Sequence, residues 1–304
     1  MYVTIRLYYE VDPLRHFKSR PRWPYLLIAG PVLVLVLLVV LQGPFAHRKA
    51  PFVPDYPQQD LGPILAKDQF SPAEYDTLFQ QTGLARPAVD HLLTLGDAGR
   101  AQIEYIQSQF FAPVTVVCDS LWGEFTKEDH LVGPDGEHAW APPIADLETG
   151  DVILTFSTHS AGWRHGHAGL VVDDAGDGVT LEAVLIGTDS EQVPAWHWRN
   201  YSNYMVLRLK DRTPELAQAI ADYALEHLDG VPYHLTSGFL GGKAPEPDAP
   251  FFGVHCDYLV WYAFQRFGYD LDSDGGRLVT TDDMARSPLL EVVQVYGMDP
   301  RIFS

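Results

Sequence analysis

The residue best suited to covalent chemistry in this 304-residue sequence is a cysteine, Cys256. It opens the stretch CDYLVWYAFQRFG, in which apolar residues recur at helical spacing and Gly268 stands where a helix would end. Unpaired backbone N–H groups and the positive end of the macrodipole at a helix N-terminus favour the thiolate, the nucleophilic form of cysteine. The pattern predicts a reactive thiol, with a small buried core residue as the alternative.

A base for this thiol is predicted on an antiparallel sheet. Short β-rich runs bounded by turn signals cover residues 151–156, 165–172, 179–186 and 204–210. The loop DDAGDG, residues 173–178, predicts a hairpin between the second and third runs. If the pairing is centred on that loop, His167 and Glu182 are diagonal neighbours on one face of the sheet. We expect the carboxylate to hold the imidazole, whereas a slip of one residue in register would separate them.

Other polar residues flank the predicted site. His165 and His255 each have an alternative interpretation as hydrogen-bonded structural residues. Asp257 follows the cysteine directly, and its charge would raise the pKa of the thiol. The same histidines together with His167 and Cys256 could ligate a metal, but their spacing matches no recognised zinc pattern. The sequence therefore predicts no metal and no other cofactor.

An acidic stretch resembles half of a calcium-binding loop. Asp270, Asp272, Asp274 and Gly275 match the first positions of such a loop, but Thr281 stands where a bidentate glutamate belongs. A solvated acidic turn is the better interpretation.

Hydropathy predicts a membrane anchor near the N-terminus. Residues 25–41 form an uncharged apolar run of 17 residues, and apolar character extends to residue 45. Five Lys and Arg precede the run, and only Arg48 and Lys49 follow it closely. By the positive-inside rule, residues 1–24 are expected in the cytoplasm and the rest outside it, in a single-pass protein of the cell membrane. A cleaved signal peptide is the alternative, and an exported chain would permit a Cys118–Cys256 disulfide.

The remaining sequence divides by composition. Residues 46–63 are rich in proline and predict a semi-rigid linker. Residues 64–146 predict an accessory segment of three short helices, the first from a capping box at Ser71 and Glu74 to Gly83, the others over 87–95 and 98–110. Residues 147–304 predict an α+β domain. A helix that begins at Pro214 follows its sheet.

Charge excludes one class of partner. Residues 1–50 contain seven Lys and Arg and two Asp and Glu, which leaves 14 positive and 38 negative residues in the remainder, a net charge of −24. Such a field repels phosphate backbones, so no nucleic acid is expected as a partner.

Five motifs together resemble a known family. GDVILTF, RHGHAGLVVD, TLEAV, GVPY and HCDYLVWYAF occur in the order found in circularly permuted papain-like hydrolases, the YiiX-like branch of the NlpC-type cell-wall amidase superfamily. The similarity covers residues 147–297 and implies a small antiparallel sheet packed by helices. It implies that Cys256 is the nucleophile, His167 the general base and Glu182 the group that orients it. Tyr233 matches the tyrosine of a Pro-Tyr turn and is expected to assist the oxyanion.

The resemblance also implies a function. We expect a membrane-anchored, extracytoplasmic cysteine hydrolase that cleaves amide bonds in cell-wall peptides, with His255, Trp163 and His165 beside the substrate. Trp196 and Trp198 are further candidates for a substrate surface. The sequence departs from the family at Asp257, where a serine is usual, which puts the degree of thiol activation in doubt. A lipid acyl hydrolase or acyltransferase of the same fold, and a wall-peptide-binding module without activity, are the alternatives.

Overall fold

The second of two compact units of the chain contains all the predicted catalytic residues. The units are residues 1–41 and 42–304 in the computed structural model. The residues that the structure describes are 29–37, 52–117, 126–160, 163–239, 242–244 and 252–303.

The predicted membrane anchor is not borne out by the described residues. Residues 29–37 form a helix of nine residues, which at 1.5 Å per residue is about 14 Å long, roughly half of a bilayer's hydrocarbon core. Among the described residues, no helix has both the length and the apolar character needed to cross a membrane. On this finding two predictions are wrong. One is the transmembrane helix over 25–45, and the other is the single-pass membrane localisation with a cytoplasmic N-terminus. The remainder of that span lies outside the described residues.

A helical segment opens the second unit. Its last three helices begin and end within a residue or two of the predicted positions, whereas the first was not predicted. They are α1 (Gly62–Leu65), α2 (Pro72–Thr82), α3 (Arg86–Thr94) and α4 (Asp97–Phe110). The predicted capping box starts α2, since the Ser71 backbone N–H donates to the Glu74 carboxylate over 2.8 Å. Gly83 ends that helix with a φ of 74°, a conformation that glycine adopts without steric cost.

The β-rich region follows, with three further helices near its end. Its elements in chain order are β1 (Thr115–Val117), β2 (Thr126–Glu128), β3 (His130–Val132), β4 (His138–Ala139), β5 (Val152–Thr155), β6 (Thr158–Ser160), β7 (Trp163–Arg164), β8 (His167–Asp173), β9 (Val179–Glu182), β10 (Glu191–Pro194), β11 (Tyr204–Leu209), α5 (Pro214–His227), α6 (Cys256–Gln265), α7 (Thr281–Ala285) and β12 (Leu290–Tyr296). Short 3-10 helices lie at Ala195–Asn200 and Pro300–Ile302.

The main sheet is antiparallel and has the order β10-β9-β8-β5-β11-β12. Its four inner strands are the four predicted runs. Two smaller sheets, β1-β3-β4 and β2-β6-β7, complete the β structure of the described residues. The prediction of an α+β fold with an antiparallel sheet is confirmed.

Both faces of the main sheet are covered, which explains why β5 is buried at every position. Val152 and Leu154 face one way and join a core with residues of α5 and α6. Ile153 faces the other way and joins a core with α2, α3 and α4. Successive strand residues alternate between faces, so the two cores are built by the same strands. The helical segment therefore covers the second face of the sheet that carries the candidate site.

Candidate active site

The cysteine lies in the first turn of α6, as its spacing predicted. His255 precedes it in an extended conformation and is the N-cap, with its Nδ1 accepting the Tyr258 backbone N–H over 3.4 Å. All residues from Cys256 to Phe264 are buried, because α6 is packed within the core against the sheet. Cys256 is a free thiol, and Cys118 lies outside the described residues.

The hairpin brings His167 and Glu182 together. Leu170 pairs with Leu181, which is the register predicted from the loop. The pair nearest the loop, Asp173 and Val179, is one residue out of that register, and a bulge between Val171 and Asp173 restores it. As a result His167 Nε2 lies 2.7 Å from Glu182 Oε2, and both residues are buried.

Glu182 fixes the tautomer of the imidazole. Burial alone would raise the pKa of this carboxyl, but hydrogen bonds from His167 and His197 outweigh it and hold the pKa well below its ordinary value. An ionised carboxylate only accepts hydrogen bonds, so Nε2 of His167 carries a proton. In the neutral imidazole, Nδ1 is then the basic nitrogen, and it is the one left for the thiol.

His167 and the Ala168 backbone N–H both interact with the thiol, and both stabilise its charged form. Burial disfavours an imidazolium at His167, but the bonds to Cys256 and Glu182 raise its pKa well above the ordinary value. Burial and the negative charge of Asp257 disfavour the thiolate, and both raise the pKa of the Cys256 thiol. The thiolate is therefore favoured by His167, which Glu182 supports, and opposed by burial and by Asp257.

Asp257 is itself perturbed. Burial raises the pKa of its carboxyl to about 7, against the hydrogen bond that Thr281 Oγ1 donates over 2.9 Å. Thr281, the residue at the twelfth position of the supposed calcium loop, therefore serves the candidate site. The same hydroxyl lies 3.1 Å from the His165 carbonyl and shares its one proton between the two acceptors, which ties α7 to the residues just before β8.

The other predicted site residues differ in how close they come to sulfur. Tyr233 is half-buried, and burial together with the charges of Cys256 and Asp257 raises the pKa of its phenol, so it lies near the thiol. The imidazole of His165 contacts Ser160 Oγ over 3.0 Å and the Gly166 carbonyl over 2.8 Å, bonds that suit a structural residue. Burial lowers the pKa of both His165 and His255, the latter to about 4, so neither is charged at neutral pH.

The three tryptophans named as substrate candidates lie in two elements. Trp163 begins β7. Trp196 is exposed, whereas Trp198 is completely buried and stacks on the His167 ring, with centroids 5.3 Å apart and an interplanar angle of 10°. Trp198 therefore supports the imidazole and does not form an open substrate surface.

Sequence reasoning missed the residues that surround Glu182. His197 Nε2 contacts Oε1 over 2.7 Å, Trp198 Nε1 donates to the same oxygen over 3.1 Å, and Thr180 Oγ1 donates to it as well. Together with His167, these donors satisfy both carboxylate oxygens. Gly169 makes the arrangement possible, because a Cβ there would lie 2.7 Å from the Trp198 ring and 3.1 Å from Glu182 Cγ.

In the part of the chain that the structure describes, two groups of side chains have ligand atoms close enough to hold a metal. His255, Cys256 and Asp257 form one, with atoms within 4.8 Å of one another, and Asp272, Asp274 and Asp283 form the other. In the first group His255 Nδ1 already accepts the Tyr258 N–H. In the second, Asp272 forms an ion pair with Lys243, whose ammonium provides a positive charge where a cation would bind.

Comparisons with known proteins add little. No family model matches the chain, and no curated protein does. A solved structure of the metalloprotein yiiX from Escherichia coli O157:H7 is similar at 18% identity and a TM-score of 0.38, over 48% of this chain and 96% of that one. This is a distant likeness in fold, and it carries no argument about activity.

Proposed function

We propose that the protein is a thiol hydrolase in which Cys256 attacks an acyl carbonyl. One observation carries the proposal. His167 Nε2 lies 2.7 Å from the buried carboxylate of Glu182, and the same imidazole interacts with the Cys256 thiol and favours its charged form. A nucleophile, a base and a group that orients the base are the parts that acyl transfer by a thiol requires.

The proposed reaction has two steps. Nδ1 of His167 takes the thiol proton as sulfur bonds to the carbonyl carbon, and Glu182 stabilises the imidazolium. The imidazolium then gives its proton to the leaving amine or alcohol, and a thioester remains on Cys256. Water, activated by the same imidazole, hydrolyses the thioester and restores the thiol.

The oxyanion donors are proposed from position. The Cys256 backbone N–H belongs to the first turn of α6 and has no carbonyl partner within its own helix. The Tyr233 phenol lies near the same sulfur. An N–H of this kind and a phenol can stabilise the negative oxygen of the tetrahedral intermediate.

The test is direct capture of the intermediate. The protein is incubated with cell-wall fragments and, separately, with phospholipid, and both the products and the mass of the Cys256 peptide are measured. We expect an acyl adduct on Cys256, none in Cys256→Ser, and a large loss of turnover in His167→Ala. The double variant should be little worse than either single one, because members of a catalytic unit are not additive. Additive losses would refute the pair.

A binding module without activity is the second candidate, and the raised pKa of the thiol favours it. Such a module needs no reactive sulfur. The binding module would be supported if Cys256 were alkylated no faster than a free cysteine and neither substrate class gave a product.

A further inference from the structure

A cavity of about 310 Å³ lies apart from the thiol, between the turn of the β8–β9 hairpin and the 3-10 helix Ala195–Asn200. Its lining includes none of Cys256, His167 and Glu182. The cavity is large enough for a small organic molecule, and the proposed mechanism does not use it.

Two exposed tryptophans stand at this cavity and are called the tryptophan pair below. Trp196 lines the cavity, and the ring of Trp140 lies beside that of Trp196, with centroids 5.7 Å apart and an interplanar angle of 55°. Trp196 is 47% exposed and Trp140 is 45% exposed. An indole is among the largest apolar surfaces that a side chain offers, so two of them side by side in water indicate a surface that a ligand covers.

Backbone hydrogen bonds hold the walls of the cavity together. The Ala195 N–H donates to the Gly178 carbonyl over 2.9 Å, which joins the 3-10 helix to the hairpin. The Ala141 N–H donates to the Arg199 carbonyl over 2.9 Å, and Arg199 Nε donates to the Ala141 carbonyl over 2.9 Å. These two bonds fix Trp140 relative to the 3-10 helix. The cavity and the tryptophan pair are therefore preformed, which lowers the entropic cost of binding a ligand.

The cavity presents hydrogen-bonding groups of both kinds. Arg199 uses Nε for Ala141, and no described residue accepts a hydrogen bond from its two terminal nitrogens. Asp177 is exposed in the hairpin turn and accepts no hydrogen bond from the described part of the chain. A guanidinium only donates and a carboxylate only accepts. A ligand that satisfies both must offer acceptors and donors close together.

Charge narrows the ligand further. The carboxylates of Asp174 and Asp177 line the cavity, and the whole chain has a net charge of −19, so an anion is disfavoured. A cation would meet the positive charge of Arg199. A neutral ring with several hydroxyls avoids both repulsions, because each hydroxyl donates and accepts. The C–H face of such a ring is apolar and gains by covering an indole.

We propose that the cavity and the tryptophan pair bind a neutral saccharide, at a site separate from the thiol. One sugar ring lies in the cavity against Trp196, with hydroxyls on Arg199 and Asp177. The next ring lies on Trp140. The site involves no reaction at Cys256, so it goes beyond the proposed function and does not depend on it.

The test is titration of the protein with three neutral trisaccharides, cellotriose, maltotriose and chitotriose, by calorimetry and tryptophan fluorescence. We expect saturable binding of at least one of them. Trp140→Ala and Trp196→Ala should each raise its Kd by about tenfold or more, and Asp177→Ala by about fivefold. All three side chains are exposed, so the variants should keep the wild-type melting curve. Retention of the protein on insoluble cellulose or chitin, released by the trisaccharide, would identify the ligand as part of a polymer, whereas binding of the free trisaccharide alone would identify an oligosaccharide.

A matched control comes from the helical segment. Tyr105 is 50% exposed on α4 and does not line the cavity. Tyr105→Ala should leave the Kd unchanged, and a loss equal to that of Trp196→Ala would overturn the inference. Cys256→Ser should bind the trisaccharide as the wild type does, whether or not the protein is a thiol hydrolase. A large loss of binding in Cys256→Ser would place the saccharide at the thiol and overturn the separate site.

Two further outcomes would refute the saccharide. One is the absence of saturable binding with all three trisaccharides. The other is binding of tetramethylammonium, weakened by Trp196→Ala, in a protein that binds none of the sugars, since the cavity would then be a site for organic cations.

Discussion

Replacing Asp257 by asparagine should make Cys256 more reactive, although the residue is buried beside the proposed nucleophile. The wild-type carboxylate opposes the thiolate, so its removal lowers the pKa of the thiol. Asparagine keeps an oxygen that can accept the 2.9 Å hydrogen bond from Thr281. The change therefore removes charge while the local hydrogen bonding is kept.

The size of the effect follows from the distance. A carboxylate oxygen of Asp257 and the sulfur of Cys256 are within 4.8 Å of each other. At an effective dielectric constant of about 20, two unit charges at that separation repel by about 3.5 kcal/mol, which corresponds to about 2.5 in pKa. The thiol pKa is raised above its ordinary value, and at such pH a carboxyl with a pKa of about 7 is ionised, so the variant loses the full charge. We expect the thiol pKa to fall by about two.

The assay is the rate of iodoacetamide alkylation of Cys256 as a function of pH, with the modified peptide counted by mass spectrometry. The midpoint should move to lower pH in Asp257→Asn. Near pH 7.5 the rate should rise by about tenfold, less than the gain in thiolate, because a thiolate of lower pKa is also a weaker nucleophile. Asp282→Asn, which removes an equal charge from α7, is the control and should not move the midpoint. An identical profile for Asp257→Asn and wild type would refute the electrostatic reasoning.

Three further predictions concern the surroundings of the site. His197→Ala removes a hydrogen-bond donor that lies 2.7 Å from Glu182, so turnover should fall by about tenfold. His197→Gln, which keeps a donor, should lose less turnover than His197→Ala. Equal losses in the two variants would argue against a hydrogen-bonding role. Gly169→Ala introduces a Cβ 2.7 Å from the Trp198 ring and should lower the free energy of unfolding by about 1–3 kcal/mol in a urea titration. A chelator should leave turnover and Cys256 alkylation unchanged, because the proposed mechanism uses only the thiol, the imidazole and the carboxylate. Inhibition would instead indicate a metal on the His255, Cys256 and Asp257 group.

Local signals predicted most of the fold. The capping box, the prolines at helix starts and Gly83 fixed the helices between residues 72 and 110, because caps act within one turn of the chain. The four inner strands are apolar runs bounded by turns. β10 was missed because its sequence, EQVP, has little apolar pattern and it pairs only along one edge. β12 returns from 80 residues away to pair with β11, and no local signal specifies that partner.

The membrane prediction rested on the length of the apolar run. A span also requires a continuous helix of about 20 residues. Of this run the structure describes a helix over residues 29–37, and none of the described helices meets that requirement.

The candidate site was predictable where the hairpin positions it and unpredictable where tertiary packing does. The loop between β8 and β9 set the register that brings His167 to Glu182. His197 reaches the same carboxylate from a 3-10 helix, Ala195–Asn200, whose orientation depends on contacts with the whole sheet. In the sequence, the aromatic run WHW at residues 196–198 was the only indication that this segment contributes to the site. Similarly, the contact of Thr281 with Asp257 joins residues 24 positions apart and could not be read from spacing.

The central claim is that Glu182 supports an imidazole that activates Cys256, and the alkylation profile of Glu182→Gln tests it most directly. Loss of the carboxylate makes the imidazolium of His167 less stable, so the thiolate loses support and the thiol pKa should rise. Turnover should fall by about 10- to 10⁴-fold while the thermal unfolding curve stays cooperative. A midpoint and a turnover rate that both equal those of the wild type would contradict the proposed role of Glu182 and the mechanism built on it.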